Sequence, residues 1–216
     1  MKNYLVIFSG GLDSTCALYW AKAQGGEVVA VNFAYGSNHE SKECAAASRI
    51  AADAGIELIH IRLDFFREHF TSSLLGGEIP QGEYHADNMK STVVPFRNGI
   101  MLAIAAGIAE SRGLDAVVLG NHGGDHFVYP DCRPYFINAM SEAIFAGTGA
   151  AVKIESPFCD MDKSEIVAAG TVLGVPFEKT YSCYNGREKH CGKCGTCIER
   201  KNAFLSAGVE DPTQYE

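Results

Sequence analysis

The organisation of the chain follows from one segment, Leu5-Val6-Ile7-Phe8-Ser9-Gly10-Gly11-Leu12-Asp13-Ser14-Thr15. Its first part is a short apolar run with branched side chains, which predicts a buried parallel strand. A Gly-Gly turn follows, and Asp13 and Ser14 open an apolar-periodic helix that runs to about Lys22. A helix N-terminus behind glycines is suited to phosphate, because its first amides lack intrahelical partners and glycine lets the backbone approach an anion closely.

The turn matches neither of the two commonest nucleotide loops. A Walker loop ends in Gly-Lys-Ser/Thr, and no lysine follows these glycines. A dinucleotide fingerprint needs a third glycine where Ser14 stands and an acidic residue after the next strand, which here ends Asn32-Phe33-Ala34-Tyr35. A turn with an Asp/Ser helix cap and no ligand remains the alternative interpretation of the local pattern.

The composition sets the class of protein. The chain has 216 residues, of which 47% are hydrophobic, and this suits one sizeable core or one domain with a small appendage. The formal net charge is −8 and no extended basic patch is present, so we expect no nucleic-acid partner. No apolar stretch of membrane-spanning length and no signal-peptide pattern is found, which predicts a cytoplasmic protein with no membrane partner.

The rest of the chain alternates between strand and helix patterns. Further strands are predicted at 27–35, 57–63, 115–120 and 152–154, with helices at 41–54, 99–111, 138–147 and 162–174. A helix near 65–75 is predicted to lead into a long loop of the kind that forms lids. This order predicts an α/β fold with an open doubly wound parallel sheet, Rossmann-like, whose ligand lies at the carboxyl ends of the strands.

The tail carries four of the eight cysteines, namely Cys183, Cys191, Cys194 and Cys197. Four thiolates at this spacing suit tetrahedral zinc, and they leave no open position for a bound water. We therefore predict a structural zinc site in a C-terminal segment, residues 181–216, appended to a nucleotide-binding domain of residues 1–180. An iron–sulfur cluster is the alternative, although the ferredoxin spacing and trailing proline are missing.

Ser-Gly-Gly-x-Asp-Ser resembles the PP-loop of the ATP pyrophosphatase superfamily, and five further segments narrow the resemblance. They are Tyr35-Gly36-x-x-His39, Val94-Pro95-x-Arg97-Asn98, Tyr129-Pro130-Asp131-Cys132-Arg133, Asp162-Lys163-x-Glu165, and Cys183-Tyr184-Asn185-Gly186 ahead of the other three cysteines. In this order and at these distances they resemble the 7-cyano-7-deazaguanine synthase (QueC) family over nearly the whole chain.

The resemblance implies a carbon–nitrogen ligase that takes 7-carboxy-7-deazaguanine, ATP and ammonia and makes the nitrile through an amide. It implies that ATP is held by Phe8, Ser9, Gly10, Gly11, Leu12, Asp13, Ser14 and Thr15. Asp13 would coordinate Mg²⁺, and Lys163 would reach the phosphates. The predicted catalytic residues are Asp13, Lys163 and Arg97. A homodimer is the family expectation.

The predicted substrate-binding residues are His39, Arg97, Asn98, Asp125, Asp131 and Arg133. The two aspartates would accept hydrogen bonds from a guanine-like N–H edge. Arg97 would bind a phosphate or the substrate carboxylate, and Arg133 would hold the carboxylate or position Asp131. The alternatives are a loop ion pair for Asp131 and Arg133 and a helix-capping surface role for Arg97.

The chain departs from the family pattern at Ser37-Asn38, at Phe96 and at Phe127-Val128, where smaller or more polar residues are usual. A larger and more apolar wall of the amine or amide pocket would suit a paralogue. Such a paralogue would stop at the amide or join the activated carboxylate to another amine, such as a protein N-terminus. A tRNA-thiolating enzyme is a further alternative, disfavoured by the acidic charge. A nucleotide sensor without catalysis is disfavoured by intact Ser9, Asp13 and Lys163.

Overall fold

A computed structural model describes residues 1–216. Its centre is a five-stranded sheet formed by β1 Tyr4–Ile7, β2 Val28–Ala34, β3 Glu57–Arg62, β4 Ala116–Val118 and β5 Lys153–Glu155. The spatial order is β3-β2-β1-β4-β5, and every neighbouring pair is parallel. The chain winds outward from β1 in one direction and then from β4 in the other, which confirms the open doubly wound sheet and leaves a crevice between β1 and β4.

Eight α-helices surround the sheet: α1 Leu12–Ala23, α2 Glu40–Ala54, α3 Phe65–His69, α4 Ala86–Met89, α5 Arg97–Arg112, α6 Pro134–Gly147, α7 Lys163–Val172 and α8 Gly195–Ala207. Residues of α1, α2, α7 and α8 share one hydrophobic core with one face of the sheet. Residues of α3, α5 and α6 share a second core with the other face. Strand β1 separates the cores, since Val6 belongs to the first and Leu5 to the second, and both are completely buried. No single helix is long and apolar enough to cross a membrane, and one bent pair, 86–92 with 97–112, passes that test by length and composition only.

Two predicted helices have different bounds in the structure. The helix predicted at 65–75 ends at His69, and a separate 3-10 turn covers 73–75. Helix α3 ends because Phe70 adopts an extended conformation, and the side chain of Ser72 accepts a hydrogen bond from the Leu74 amide at 3.2 Å, which caps the separate turn. Helix α6 begins at Pro134 rather than near 138, because proline is well suited to the first turn of a helix.

The short helix α4 lies in the stretch predicted as a long loop. Helix α8 is the longer element that the sequence pattern did not predict. It starts among the clustered cysteines, where metal-ligand spacing obscures helical periodicity, and it ends at Gly208, whose φ of +67° is left-handed. Ala203 and Phe204 on this helix belong to the first core, so the C-terminal segment packs directly on the body that carries the sheet. The division of the chain at residue 180 stays a prediction.

Candidate active site and metal centre

The glycine loop after β1 forms one wall of a cleft at the carboxyl ends of β1, β2 and β4. Gly10 has a φ of +82°, and a Cβ there would lie 2.5 Å from the Ala47 amide nitrogen, so only glycine fits. The hydroxyl of Ser9 accepts a hydrogen bond from the Gly11 amide at 3.2 Å and lies 3.0 Å from that of Ser14. The two hydroxyls therefore stand together beside the loop amides, as a phosphate-binding turn requires.

Not every residue of the predicted loop faces the cleft. Phe8, Ser9, Gly11, Leu12, Asp13 and Ser14 line it, whereas Gly10 and Thr15 do not. Gly10 packs against α2, and its carbonyl accepts a hydrogen bond from the Tyr181 amide at 2.9 Å. Thr15 is completely buried, and its hydroxyl donates to the Gly11 carbonyl at 2.6 Å. Gly10 and Thr15 therefore stabilise the loop on the side that faces away from the cleft.

Asp13 and Lys163 meet at the mouth of the loop, although 150 positions separate them in the sequence. Lys163 Nζ lies 3.3 Å from Asp13 Oδ2 and 2.5 Å from Glu199 Oε2. Burial alone would lower the pKa of Lys163, but the two carboxylates outweigh it and raise the pKa, so the lysine is charged. Burial raises the pKa of Glu199, and Lys163 opposes that shift. Asp13 Oδ1 is buried without a hydrogen-bond partner.

His122 extends this charged group toward the loop that follows β4. Its Nδ1 accepts a hydrogen bond from the Gly124 amide at 3.1 Å, which places the ring proton on Nε2. That nitrogen lies 3.6 Å from Asp125 Oδ2 and 3.9 Å from Asp13 Oδ2. Asp125 in turn accepts a hydrogen bond from the Tyr84 hydroxyl at 2.8 Å, so its carboxylate has a partner on each side.

Arg97 enters the cleft from the first residue of α5. Its Nη1 donates to the Tyr35 hydroxyl at 3.1 Å, and its guanidinium lies 5.5 Å from the centre of that ring. Asn98 also lines the cleft, while its amide donates to Asp131 Oδ2 at 2.8 Å. Asp131 thus caps α5 from 33 positions away, because the residue before the helix offers no side-chain cap.

Two predicted substrate residues lie outside the cleft lining. Asp131 is buried behind it, with its carboxylate on the α5 amide. Arg133 is exposed, and its Nε donates to the His126 carbonyl at 2.8 Å. The structure therefore brings together His39, Arg97, Asn98 and Asp125 of the predicted set, and it does not form the Asp131–Arg133 ion pair that was the alternative.

His39 shares the cleft with Glu43, a residue that the sequence analysis did not single out. His39 Nε2 lies 3.5 Å from Glu43 Oε2, and the histidine ring stacks on Tyr184 with centroids 5.0 Å apart. Burial, reinforced by Arg97, lowers the pKa of His39 to about 4. Burial raises the pKa of Glu43 to about 8, against the attraction of Arg97. Both side chains are therefore mainly uncharged near neutral pH.

The four predicted metal ligands form a compact buried cluster. The sulfurs of Cys183, Cys191, Cys194 and Cys197 all lie within 4.8 Å of one another. Those of Cys191 and Cys197 are 4.0 Å apart, close to the roughly 3.8 Å expected between thiolates on a tetrahedral zinc. The Cys191 sulfur also accepts hydrogen bonds from the Cys194 amide at 3.3 Å and the Asn185 side chain at 3.2 Å, as outer-shell groups commonly donate to a metal ligand. The cluster therefore fits a structural metal ion with no open position.

The departures from the family pattern lie outside the cleft. Phe127 is 48% exposed, and Phe96 is 56% exposed at a left-handed φ of 53°. Val128 is buried in a small cluster that includes the cleft residues Tyr129 and Cys132. Asn38 donates to the carbonyls of Ser73 and Gly77 at 3.0 and 3.2 Å, so it anchors a loop. Ser37 is buried, and neither its side chain nor the other four line the cleft.

The fold and the loop define a class. A parallel doubly wound sheet whose first strand runs into Ser-Gly-Gly-x-Asp-Ser at a helix N-terminus is a PP-loop α/β protein. A solved structure described as NMN synthetase from Francisella tularensis superimposes with a TM-score of 0.52 at 16% identity, over 97% of this chain and 78% of that one. That similarity supports the fold.

Sequence comparison gives the family. The family model described as "Queuosine biosynthesis protein QueC" matches residues 3–208. Proteins named 7-cyano-7-deazaguanine synthase are 50% identical in Porphyromonas gingivalis, over 100% of this chain and 98% of the relative, and 48% identical in Desulfotalea psychrophila, over 100% and 99%. The relative from Caldicellulosiruptor bescii is 43% identical over 98% and 96%. The chain belongs to the QueC family, and it is an enzyme of the carbon–nitrogen ligase class.

Proposed function

We propose that the protein converts 7-carboxy-7-deazaguanine, ATP and ammonia into 7-cyano-7-deazaguanine by way of the amide. The observation that carries this proposal is the meeting of Asp13 and Lys163 beside the glycine loop, in a cleft that also holds Arg97. A phosphate-binding end and a carboxylate-binding end in one cleft suit the transfer of AMP to a carboxylic acid.

The phosphate end is formed by the loop and Lys163. The backbone amides at the start of α1 and the hydroxyls of Ser9 and Ser14 would hold the pyrophosphate of ATP. The Lys163 amino group stays protonated at neutral pH, and its positive charge would stabilise the pyrophosphate as it leaves.

Asp13 fits a divalent cation. Its Oδ1 is buried without a hydrogen-bond partner, and an oxygen ligand of this kind suits Mg²⁺. When bound, Mg²⁺ would neutralise charge on the phosphates. The Asp13 carboxylate would hold it while Lys163 keeps its own contact with Oδ2.

The reaction needs two activations by ATP, first of the carboxylate and then of the amide, and the same glycine loop can serve both. A carboxylate does not accept an amine because its oxygen is a poor leaving group, and adenylation makes that leaving group AMP. Dehydration of the resulting amide to a nitrile requires the remaining oxygen to be activated in the same way. The Arg97 guanidinium would hold the substrate carboxylate for the first activation, and the Tyr35, Tyr129 and Tyr184 rings around it suit a planar heterocycle.

We further propose that zinc occupies the four-cysteine centre, since four buried thiolates favour it over the metals that prefer oxygen ligands. We propose a homodimer that works in the cytoplasm and binds no nucleic acid, in keeping with the net charge of −8.

The deciding experiment identifies the product. Purified protein is incubated with 7-carboxy-7-deazaguanine, ATP, Mg²⁺ and ammonium, and the deazaguanine products and AMP are followed by mass spectrometry. We expect the nitrile, with the amide as a transient species. Accumulation of the amide alone, or AMP formation only when another amine is added, would instead identify the paralogue. The position of Phe127, Val128 and Phe96 outside the cleft favours the nitrile.

A further inference from the structure

Helix α8 joins the metal centre to the cleft. Its N-terminal end carries two of the four metal ligands, with Cys194 just before the helix and Cys197 in its first turn. Thr196 and Arg200 from the same two turns line the cleft, and Glu199 lies between them in sequence. A metal ion that fixes the cysteines therefore also fixes the height and rotation of the helix surface facing the nucleotide loop.

Glu199 is the nearer of the two carboxylates that contact Lys163. Its Oε2 lies 2.5 Å from Nζ, whereas Asp13 Oδ2 lies 3.3 Å away. The Tyr84 ring, whose centroid is 5.9 Å from Nζ, borders the lysine as well. The ammonium group is thus drawn toward α8 and away from a full contact with Asp13.

We propose that Glu199 is a positioning residue, which holds Lys163 at the phosphate end of the cleft and prevents it from collapsing onto Asp13. The inference rests on the proposed roles of Asp13 and Lys163 in Mg²⁺-ATP binding. Without Glu199, Asp13 is the only carboxylate left in direct contact with the ammonium group. A tight Lys163–Asp13 pair would then occupy the carboxylate that the metal ion requires.

The direction of the change in ATP affinity distinguishes a positioning role for Glu199 from simple repulsion of ATP by its carboxylate. If the Glu199 carboxylate only repelled ATP, neutralising it would tighten ATP binding. If it positions Lys163, its loss weakens ATP binding. The dissociation constant of Mg²⁺-ATP is measured by calorimetry on metal-loaded protein for the wild type and Glu199→Gln. The matched control is Glu210→Gln, an exposed glutamate soon after the end of α8 that makes no ion pair. We expect about fivefold weaker binding for Glu199→Gln and no change for the control.

A double-mutant cycle shows whether Glu199 acts through Lys163. In a Lys163→Met background we expect Glu199→Gln to change ATP affinity by less than about twofold. Glu199→Asp keeps the charge on a shorter side chain, and we expect it to recover part of the lost affinity. The metal content of each variant is measured in parallel and should equal that of the wild type.

Tighter ATP binding by Glu199→Gln, or equal losses in the two backgrounds, would overturn the positioning role while leaving the proposed function intact. A wild-type protein that binds no ATP would contradict the proposed function, and the inference would fall with it.

Discussion

Asp13 presents two oxygens in different surroundings, since Oδ2 contacts Lys163 and Oδ1 is buried without a partner. Replacement by Asn keeps the volume but removes the negative charge that a divalent cation and Lys163 both require. We predict that Asp13→Asn lowers ATP-dependent turnover by at least about 100-fold, measured as AMP release. The metal content of the cysteine centre should not change, because the centre lies in another segment. AMP release near the wild-type rate would remove Asp13 from the mechanism.

Glu43 gives a prediction about stability and pH. Burial raises the pKa of this carboxyl from 4.5 to about 8, so the folded protein keeps a proton that the unfolded chain loses. The stabilisation from the protonated form is complete below pH 4.5 and is lost as the pH rises toward about 8. We predict that the free energy of unfolding of the wild type, measured in urea, falls relative to that of Glu43→Gln across this range. A constant difference between the two proteins would show that the carboxyl titrates normally.

The residues of the site differ in how far the sequence predicts them. The loop and the four cysteines depend on neighbours within about fifteen positions, so local spacing is sufficient for their prediction. His122 and Glu199 become site residues only because the fold brings them to Asp13 and Lys163. The one available signal for Glu43 was its spacing of four from His39, which places both on one face of a helix.

Among the elements, α5 depends on a cap supplied by a distant loop. Phe96 precedes the helix in a left-handed conformation, and Asp131 accepts the Asn98 amide hydrogen bond at 2.8 Å. We predict that Asp131→Ala lowers the free energy of unfolding by about 1–2 kcal/mol and weakens substrate binding through Arg97. Asp131→Asn retains an acceptor and should lose much less stability. Equal losses for the two variants, measured by urea unfolding, would exclude the capping role.

Element prediction succeeded where hydrophobic periodicity was undisturbed, as in the strands and in α1, α2 and α7. It failed at α8 because cysteines and polar residues dominate the pattern there, and the buried side of that helix is set by tertiary packing. The helix near 65–75 was predicted too long because the chain becomes extended at Phe70 and Ser72 then caps a separate turn, and apolar spacing reveals neither feature.

At the scale of the whole molecule, the C-terminal segment contributes to the core of the sheet. Phe204 is 1% exposed and packs edge-to-face on Phe177, with centroids 5.0 Å apart. We predict that Phe204→Ala costs about 3–5 kcal/mol of unfolding free energy and that unfolding stays a single transition. The matched control is Leu205→Ala, which removes a side chain that is 81% exposed and should change stability by less than about 0.5 kcal/mol. A separate early transition for the C-terminal segment would contradict this prediction.

The position of α8 in the sequence has a consequence for synthesis on the ribosome. All five strands are translated before residues 195–200, which supply Thr196 and Arg200 to the cleft and Glu199 to its lysine, Lys163. A nascent chain can therefore pair its strands while the pocket still lacks one wall. Metal supply in the cell would then become a maturation step, because chains made while the metal of the four-cysteine centre is scarce would accumulate as precursors whose cleft closes only when the ion arrives.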